Sequence, residues 1–300
     1  MTTLALSARS IGSLAHQSLL NETTATVLGA ISKGLYLLTP GQRVIYISYE
    51  TYRSPLTMTL VETPPELPSI EPGETVKLSP TSLIWLDGKL RLSLATAEIW
   101  SAPIPRITHE IQDTPDRRIQ RLVEIAAKVS AAKGQLGFAP LLLPILGLEQ
   151  NESLPAELEP VWAKLKGILQ SGPNLTPTAL IELLSGLLGY GRGLTPSGDD
   201  LLTGFLLALA RWNYPSAELG QELSRAAYQK TTTLSANLIE CAAAGGADER
   251  LIQVVDAVAA GNAPLQPCVD SLVGYGNSSG ADVLAGIALA ARMWTARPGP

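Results

Sequence analysis

The sequence is short of the side chains that most often bind metals or form cross-links. Its 300 residues include two cysteines, Cys241 and Cys268, and two histidines, His16 and His109. Two cysteines without a neighbouring histidine form neither a disulfide framework nor a zinc site, so we interpret each as a small buried hydrophobe. Neither histidine has a recognisable partner, which argues against a Ser-His-Asp catalytic set.

Charged residues and long hydrophobic runs are also scarce. Charged residues make up 16% of the chain and the formal net charge is −5, which argues against a nucleic-acid-binding protein. The longest apolar runs, 138–148, 201–210 and 283–291, are too short to span a bilayer and favour buried helices. The N-terminus lacks a basic region followed by a solid apolar stretch, so no signal peptide is expected. We therefore expect a soluble cytoplasmic protein without a membrane partner.

The first third of the chain has the pattern of strands. The stretch 43–49 is β-branched and aromatic, and hydrophobic residues alternate with polar ones around 56–61. Residues 82–94 predict a hairpin, because Asp87-Gly88 favours a type I′ turn in which both central residues have positive φ. Residues 1–110 are therefore predicted to be a β-rich domain, a small antiparallel sheet or barrel.

The pattern becomes helical beyond residue 113. Thr114 and Pro115 have the character of an N-cap and a first helical residue, and apolar residues then recur at helical spacing. The stretch 134–148 is expected to be a loop or a short buried segment. The fold class is thus α+β, with a mostly helical domain over 111–300. Further helices are predicted at about 155–170, 177–188, 197–212, 216–230, 233–244, 248–260 and 280–295.

Two segments of the helical part resemble each other. Residues 189–212 begin GYGRGLTPSGDD, residues 274–294 begin GYGNSSGAD, and the second copy is three residues shorter in its loop. Ser197–Gly204 aligns with Ser279–Gly286, and Gly204 and Gly286 are explained by close helix packing. We interpret the two copies as a turn-then-helix unit used twice, related by a local pseudo-twofold axis.

This unit has the chemistry of a small-anion site. Glycines permit positive φ and close backbone approach, while unpaired N–H groups and the helix dipole favour an anion at a helix start. A carboxylate, a phosphate or a carbamoyl oxygen would suit such a place. The candidate binding residues are Gly191, Arg192, Gly193, Thr195, Ser197, Gly198, Asn277, Ser279, Gly280 and Asp282.

The acidic residues allow two interpretations. Asp200 and Asp282 each follow a serine by three residues, which is the capping-box spacing, so helix capping explains them as well as function does. Asp199 has Ala281 as its counterpart, so the repeat does not need an acid there. A carboxylate beside an anion site would hold a cation such as magnesium or bind the NH₂ of a carbamoyl group. Asp199 and Asp200 are therefore the candidate catalytic residues, and Asp199 is the candidate magnesium ligand.

The motif GxGLTPxGDDxLxG over residues 191–204 resembles the first signature of the AllH-like family, a bacterial domain family of unknown function. The later SGxDxLxG over residues 279–286 resembles its second signature, and the resemblance covers nearly the whole chain. It implies a role in purine-derived nitrogen catabolism, including allantoin degradation. One family member is a subunit of oxamate carbamoyltransferase, which exchanges a carbamoyl group between oxalurate and phosphate.

Three functions fit these observations. The first is a subunit of a carbamoyltransferase complex that binds a small carboxylate or phosphate at the 189–200 turn. The second is a non-catalytic assembly or regulatory subunit whose apolar helices contact partner subunits. The third is a stand-alone sensor of a small metabolite.

Overall fold

The computed structural model describes residues 3–63, 69–105, 114–148, 153–172, 175–261 and 263–295. Residue contacts divide the chain into two compact units, Met1–Pro103 and Ile104–Pro300. The first unit is mainly a sheet and the second is helical, so the α+β class predicted from the sequence is confirmed. His109 and the domain boundary predicted at residue 110 lie outside the described residues.

The N-terminal unit is built around one sheet that closes on itself. Its strand order is β5-β4-β3-β2-β6-β7-β8-β1-β9, and β5 also pairs with β1. Among the described residues, this unit has one α-helix, α1 (Ser13–Asn21), which follows the first strand. The strands are β1 (Leu4–Gly12), β2 (Thr24–Ile31), β3 (Gly34–Leu38), β4 (Val44–Ser48), β5 (Thr57–Leu60), β6 (Thr75–Ser79), β7 (Ser82–Trp85), β8 (Leu90–Ser93) and β9 (Glu98–Trp100).

Alternation of side chains across the strands gives this sheet its core. In β6 and β7 the buried residues are Val76, Leu78, Leu83 and Trp85, and their neighbours face outward or are half-buried. Most strand pairs are antiparallel, as expected, but β1 pairs in parallel with β8 and β9, and β4 pairs in parallel with β5. Alternation identifies a strand and its buried face, but it does not select the partner strand.

The predicted hairpin over 82–94 is confirmed, but its predicted turn type is wrong. Strands β7 and β8 pair antiparallel around a loop at residues 86–89. Gly88 has φ of 73°, whereas Asp87 is not among the described residues with positive φ. The Asp87 carboxylate instead accepts a hydrogen bond of 3.0 Å from the Lys89 backbone N–H. This loop is longer than the two-residue loop of a type I′ turn and needs positive φ at one position only. Asp87 therefore does not have to adopt a positive φ.

The C-terminal unit is a packed group of helices. Thr114 caps its first helix by accepting from the Arg117 N–H at 3.3 Å, as predicted. Helix α10, like α1, is absent from the elements predicted from the sequence. The helices are α2 (Pro115–Lys133), α3 (Leu142–Ile145), α4 (Glu159–Ser171), α5 (Pro177–Ser185), α6 (Ser197–Arg211), α7 (Ala217–Lys230), α8 (Thr233–Ala243), α9 (Glu249–Ala260), α10 (Gln266–Gly274) and α11 (Ser279–Thr295).

Helices α6 and α11 form the centre of this unit. Every residue from Gly198 to Leu209 is buried, and so is every residue from Gly280 to Ala291. A helix that is apolar around its circumference belongs in the interior of a protein, which explains the apolar runs at 201–210 and 283–291. None of the helices in the described ranges combines the length and the apolar character needed to cross a membrane.

The contact between α6 and α11 has pseudo-twofold symmetry. A Cβ atom on Gly204 would lie 2.0 Å from the carbonyl oxygen of Val283, and one on Gly286 would lie 1.9 Å from that of Leu201. Leu201 and Val283 are equivalent positions of the repeat, so each copy makes the same contact on the other. The two backbones approach too closely for any side chain at either glycine.

Candidate functional site

The loop before α6 is a turn that depends on glycine. Gly189, Gly191 and Gly193 have φ values of 74°, 116° and 99°, which other residues rarely adopt. A Cβ on Gly191 would also lie 2.7 Å from the backbone nitrogen of Ser197. The turn is therefore folded tightly against the first residue of α6.

The two copies of the repeat build this turn in the same way. The Gly198 N–H donates to the Tyr190 carbonyl at 2.8 Å, and the equivalent Gly280 N–H donates to the Tyr275 carbonyl at 3.0 Å. The second and later amides of both helices thus have acceptors within the protein. On α6 the Ser197 N–H is the amide that has no acceptor among the described residues.

Asp199 is buried and connects the turn to the α7–α8 junction. Its side chain is 1% exposed. One oxygen, Oδ1, accepts from the Gly189 N–H at 2.8 Å, and the other, Oδ2, accepts from the Thr231 hydroxyl. Asp199 therefore fixes the glycine turn, and both of its oxygens already have protein donors.

This geometry bears on the predicted magnesium ion. The described part of the chain contains no group of three or more His, Cys, Asp or Glu side chains arranged to hold a metal. Both Asp199 oxygens accept hydrogen bonds from the protein. The magnesium role of Asp199 stays a prediction without a ligand set.

Asp200 faces the other copy of the repeat. Its Oδ2 accepts from the Thr195 hydroxyl at 3.1 Å, and Ser279 at the start of α11 hydrogen-bonds to the same carboxyl. Burial raises the pKa of Asp200 well above its usual value, and the neighbouring acids Asp282 and Asp199 raise it further. Asp200 thus stays protonated to higher pH than an ordinary aspartate.

Asp282 is the equivalent acid in the second copy and contacts a different segment. Its side chain is fully buried, and its Oδ1 accepts from the Phe138 N–H at 2.6 Å. Burial raises its pKa to about 6, although the Phe138 N–H, the hydroxyls of Ser278 and Ser197, and Lys133 oppose that rise. Asp282 therefore ties the start of α11 to residues 137–138.

The capping interpretation of Asp200 is wrong, whereas that of Asp282 stays a prediction. Helix α6 begins after Pro196 without a side-chain cap. Asp200 and Asp282 accept from the Thr195 hydroxyl and the Phe138 N–H. The serine of each copy hydrogen-bonds to the acid of the other copy: Ser197 to Asp282, and Ser279 to Asp200.

A pocket of about 570 Å³ lies at the start of α6. Arg192 is exposed at this pocket, and no hydrogen bond or ion pair joins it to another described residue. Ser197 presents the amide that lacks an acceptor, and the rings of Phe138 and Tyr190 stack with their centroids 5.9 Å apart. The lining residues are Gln135, Gly137, Phe138, Glu157, Leu158, Tyr190, Gly191, Arg192 and Ser197.

The predicted binding residues therefore divide into two groups. Gly191, Arg192 and Ser197 line the pocket. The others lie outside its lining: the Gly198 and Gly280 amides hold the turns, and the remaining side chains are buried in the repeat or exposed beside it. These others are Gly193, Thr195, Gly198, Asn277, Ser279, Gly280 and Asp282, together with the candidate catalytic Asp199 and Asp200.

The second turn is occupied by a lysine of the protein. Lys133, at the end of α2, donates to the Gly276 carbonyl at 3.2 Å and to the Asn277 carbonyl at 2.7 Å. Asn277 thus contributes its backbone to an internal contact. The carbonyl groups of the second turn thus have a donor within the protein, so the two turns differ in their contacts.

Sequence reasoning missed the wall of the pocket formed by residues 135–138. Gly137 and Phe138 lie far in sequence from the repeat, and Phe138 contacts a residue 144 positions away. Gly137 has a positive φ of 52°. A Cβ atom added at this position would lie 2.3 Å from Asp282 Oδ1. One glycine and one phenylalanine in an apolar stretch give no local signal of such a contact.

The geometry defines an α+β protein whose helical unit contains a duplicated turn-and-helix pair with a pocket at the first copy. Residues 187–291, which contain both copies, match the family model described as oxamate carbamoyltransferase subunit AllH. The match confirms the resemblance recognised from the two signatures. No solved structure matches the chain.

Proposed function

We propose that this protein is a subunit of a carbamoyltransferase complex of the oxamate carbamoyltransferase type and that it binds a small anion in the pocket at the start of α6. The observation that carries the proposal is the position of that pocket. Gly191, Arg192 and Ser197 line it, and all three belong to the segment that matches the family model.

Three features of the pocket favour an anion with an amide group. Arg192 offers a guanidinium that has no partner among the described residues, and Ser197 offers a backbone N–H at the positive end of a 15-residue helix. Gln135 adds an amide able to donate and accept. A raised pKa keeps Asp200 protonated to higher pH, which reduces the negative charge near the pocket.

The rest of the proposal depends on the family. The partners would be the other subunits of the complex, the pathway would be purine-derived nitrogen catabolism, and the location would be the cytoplasm. Asp199 would act by fixing the glycine turn.

Calorimetric titration tests the pocket. We expect oxamate or carbamoyl phosphate to bind the protein, in the presence of its partner subunits, with one ligand per chain. Arg192→Ala should weaken binding about tenfold, because it removes a charge-assisted hydrogen bond. Arg225→Ala is the matched control, since Arg225 is exposed on α7 and pairs with Glu222. Equal binding by Arg192→Ala and the control would contradict the proposal.

A non-catalytic assembly subunit is the second candidate. It is favoured by the number of motif residues with internal roles: the Gly198 and Gly280 amides and both Asp199 oxygens are used within the protein. Full activity of the assembled complex with Arg192→Ala, together with normal co-purification of the partner subunits, would support this candidate over the first.

A further inference from the structure

One buried carboxylate contacts three residues that line the pocket but is not itself part of the lining. The Phe138 N–H donates to Asp282 Oδ1 at 2.6 Å, and a Cβ on Gly137 would lie 2.3 Å from the same atom. The Ser197 hydroxyl is close enough to lower the pKa of Asp282. Residues from both walls of the pocket therefore meet at Asp282.

The remaining oxygen of this carboxylate has an unusual environment. Asp282 Oδ2 is buried, and no described residue donates a hydrogen bond of ordinary distance and angle to it. A buried carboxylate oxygen without a full partner is costly, so it usually has a functional reason.

The wall that Asp282 contacts is held by the burial of Phe138, by backbone hydrogen bonds of its turn and by Asp282 itself. Residues 134–138 include two glycines with positive φ, Gly134 at 59° and Gly137 at 52°. The Phe138 N–H has Asp282 as its acceptor, and no backbone carbonyl of the described residues replaces it. This hydrogen bond from the second copy of the repeat therefore fixes the backbone of Phe138, whose buried ring packs against Tyr190.

We propose that Asp282 is a positioning residue of the pocket, which holds the Gly137–Phe138 wall against the start of α6 through the Phe138 N–H. Its effect on ligand binding rests on the proposed function, whereas its effect on the wall does not. Two copies of the repeat would then be needed for one pocket: the first supplies the turn, and the second supplies the acceptor that sets the opposite wall.

The charges around Asp282 determine how this contact responds to pH. Lys133 at the end of α2 favours the Asp282 carboxylate, whereas an ionised Asp200 on α6 would disfavour it. Protonation near pH 6 weakens the acceptor of the Phe138 N–H. The hydrogen bond from the Phe138 N–H should therefore be strongest above that pH.

Nuclear magnetic resonance tests the contact without any ligand. The Phe138 amide resonance of the full chain should titrate with a midpoint near pH 6 in the wild type. Asp282→Asn, which keeps an oxygen acceptor but carries no ionisable group, should abolish this titration. Asp270→Asn, on the exposed face of α10, should leave it unchanged. A Phe138 amide that does not titrate in the wild type, or that titrates alike in Asp282→Asn, would overturn the proposal.

Oxamate titration of the same variants tests the consequence for the pocket. Asp282→Asn should bind within about threefold of the wild type, because the Phe138 N–H keeps an acceptor, whereas Asp282→Ala should bind about tenfold more weakly. Circular dichroism establishes that Asp282→Ala is folded, and the Phe138 titration in Asp282→Asn decides the question if it is not. Equal binding by the Ala and Asn variants would overturn the positioning role. A wild type that does not bind oxamate while Phe138 titrates would refute the proposed function and support the positioning role.

Discussion

Asp199 is the clearest case of a motif residue whose carboxylate serves the fold directly. It is buried, and its two oxygens accept from the Gly189 N–H and the Thr231 hydroxyl, which belong to segments on either side of α6 and α7. Its counterpart Ala281 has no such task, because Gly274, the equivalent of Gly189, is the last residue of α10 and not part of a loop. The extra acid of the first copy therefore compensates for its longer loop.

We expect Asp199→Ala to destabilise the protein by about 2–4 kcal/mol, because the Gly189 N–H and the Thr231 hydroxyl would both lose their acceptor in a buried environment. Urea unfolding measures this loss. If Asp199 acts through these two hydrogen bonds alone, magnesium should leave the stability of the wild type unchanged. Asp270→Ala, at an exposed position, should change stability by no more than about 0.5 kcal/mol.

Two results would contradict this view of Asp199. One is Asp199→Ala as stable as the Asp270→Ala control. The other is a magnesium-dependent gain in the stability of the wild type that Asp199→Ala lacks, which would support the metal role instead.

At the scale of helices and strands, the sequence predicts what depends on neighbours along the chain. Thr114 caps its helix as its local sequence indicates, and the internal repeat alone predicts both α6 and α11. Helix α10 is only nine residues long and lies between a proline and the second turn, so its periodicity is weak. The parallel strand pairs and the 137–138 wall depend on partners distant in sequence, for which a single chain carries no local pattern.

The glycines of the α6–α11 contact provide a test at this scale. Gly204→Ala and Gly286→Ala should each destabilise the protein by about 3 kcal/mol, because the new Cβ would meet a backbone carbonyl that cannot move without shifting a helix. Gly167→Ala on α4 is the matched control. Its Cβ would enter open space and should stabilise the protein by about 0.5–1 kcal/mol through helix propensity.

Thermal and urea unfolding of the three glycine variants distinguish these effects. The reciprocal geometry also predicts similar losses for Gly204→Ala and Gly286→Ala, since each glycine makes the same contact on the other copy. A loss at one position and none at the other would show that the two halves of the contact are not equivalent.

At the scale of the whole molecule, each of the two units has its own core. The core of the first unit extends over residues of the closed sheet from Ala8 to Leu94, and that of the second surrounds α6 and α11. Every residue that lines the pocket lies in the second unit. Each unit exceeds the length at which a single core becomes marginal, so independent folding is physically reasonable.

We therefore expect residues 1–103 and 104–300, produced as separate chains, to fold independently. Circular dichroism should show strand for the first and helix for the second, each with a cooperative thermal transition. Because the pocket is built entirely within 104–300, this fragment should bind oxamate with the affinity of the full chain, and Arg192→Ala should weaken both alike. A fragment 104–300 that melts without cooperativity would show that the helical unit needs the sheet to fold. Cooperative melting with loss of oxamate binding would instead place part of the binding site in residues 1–103.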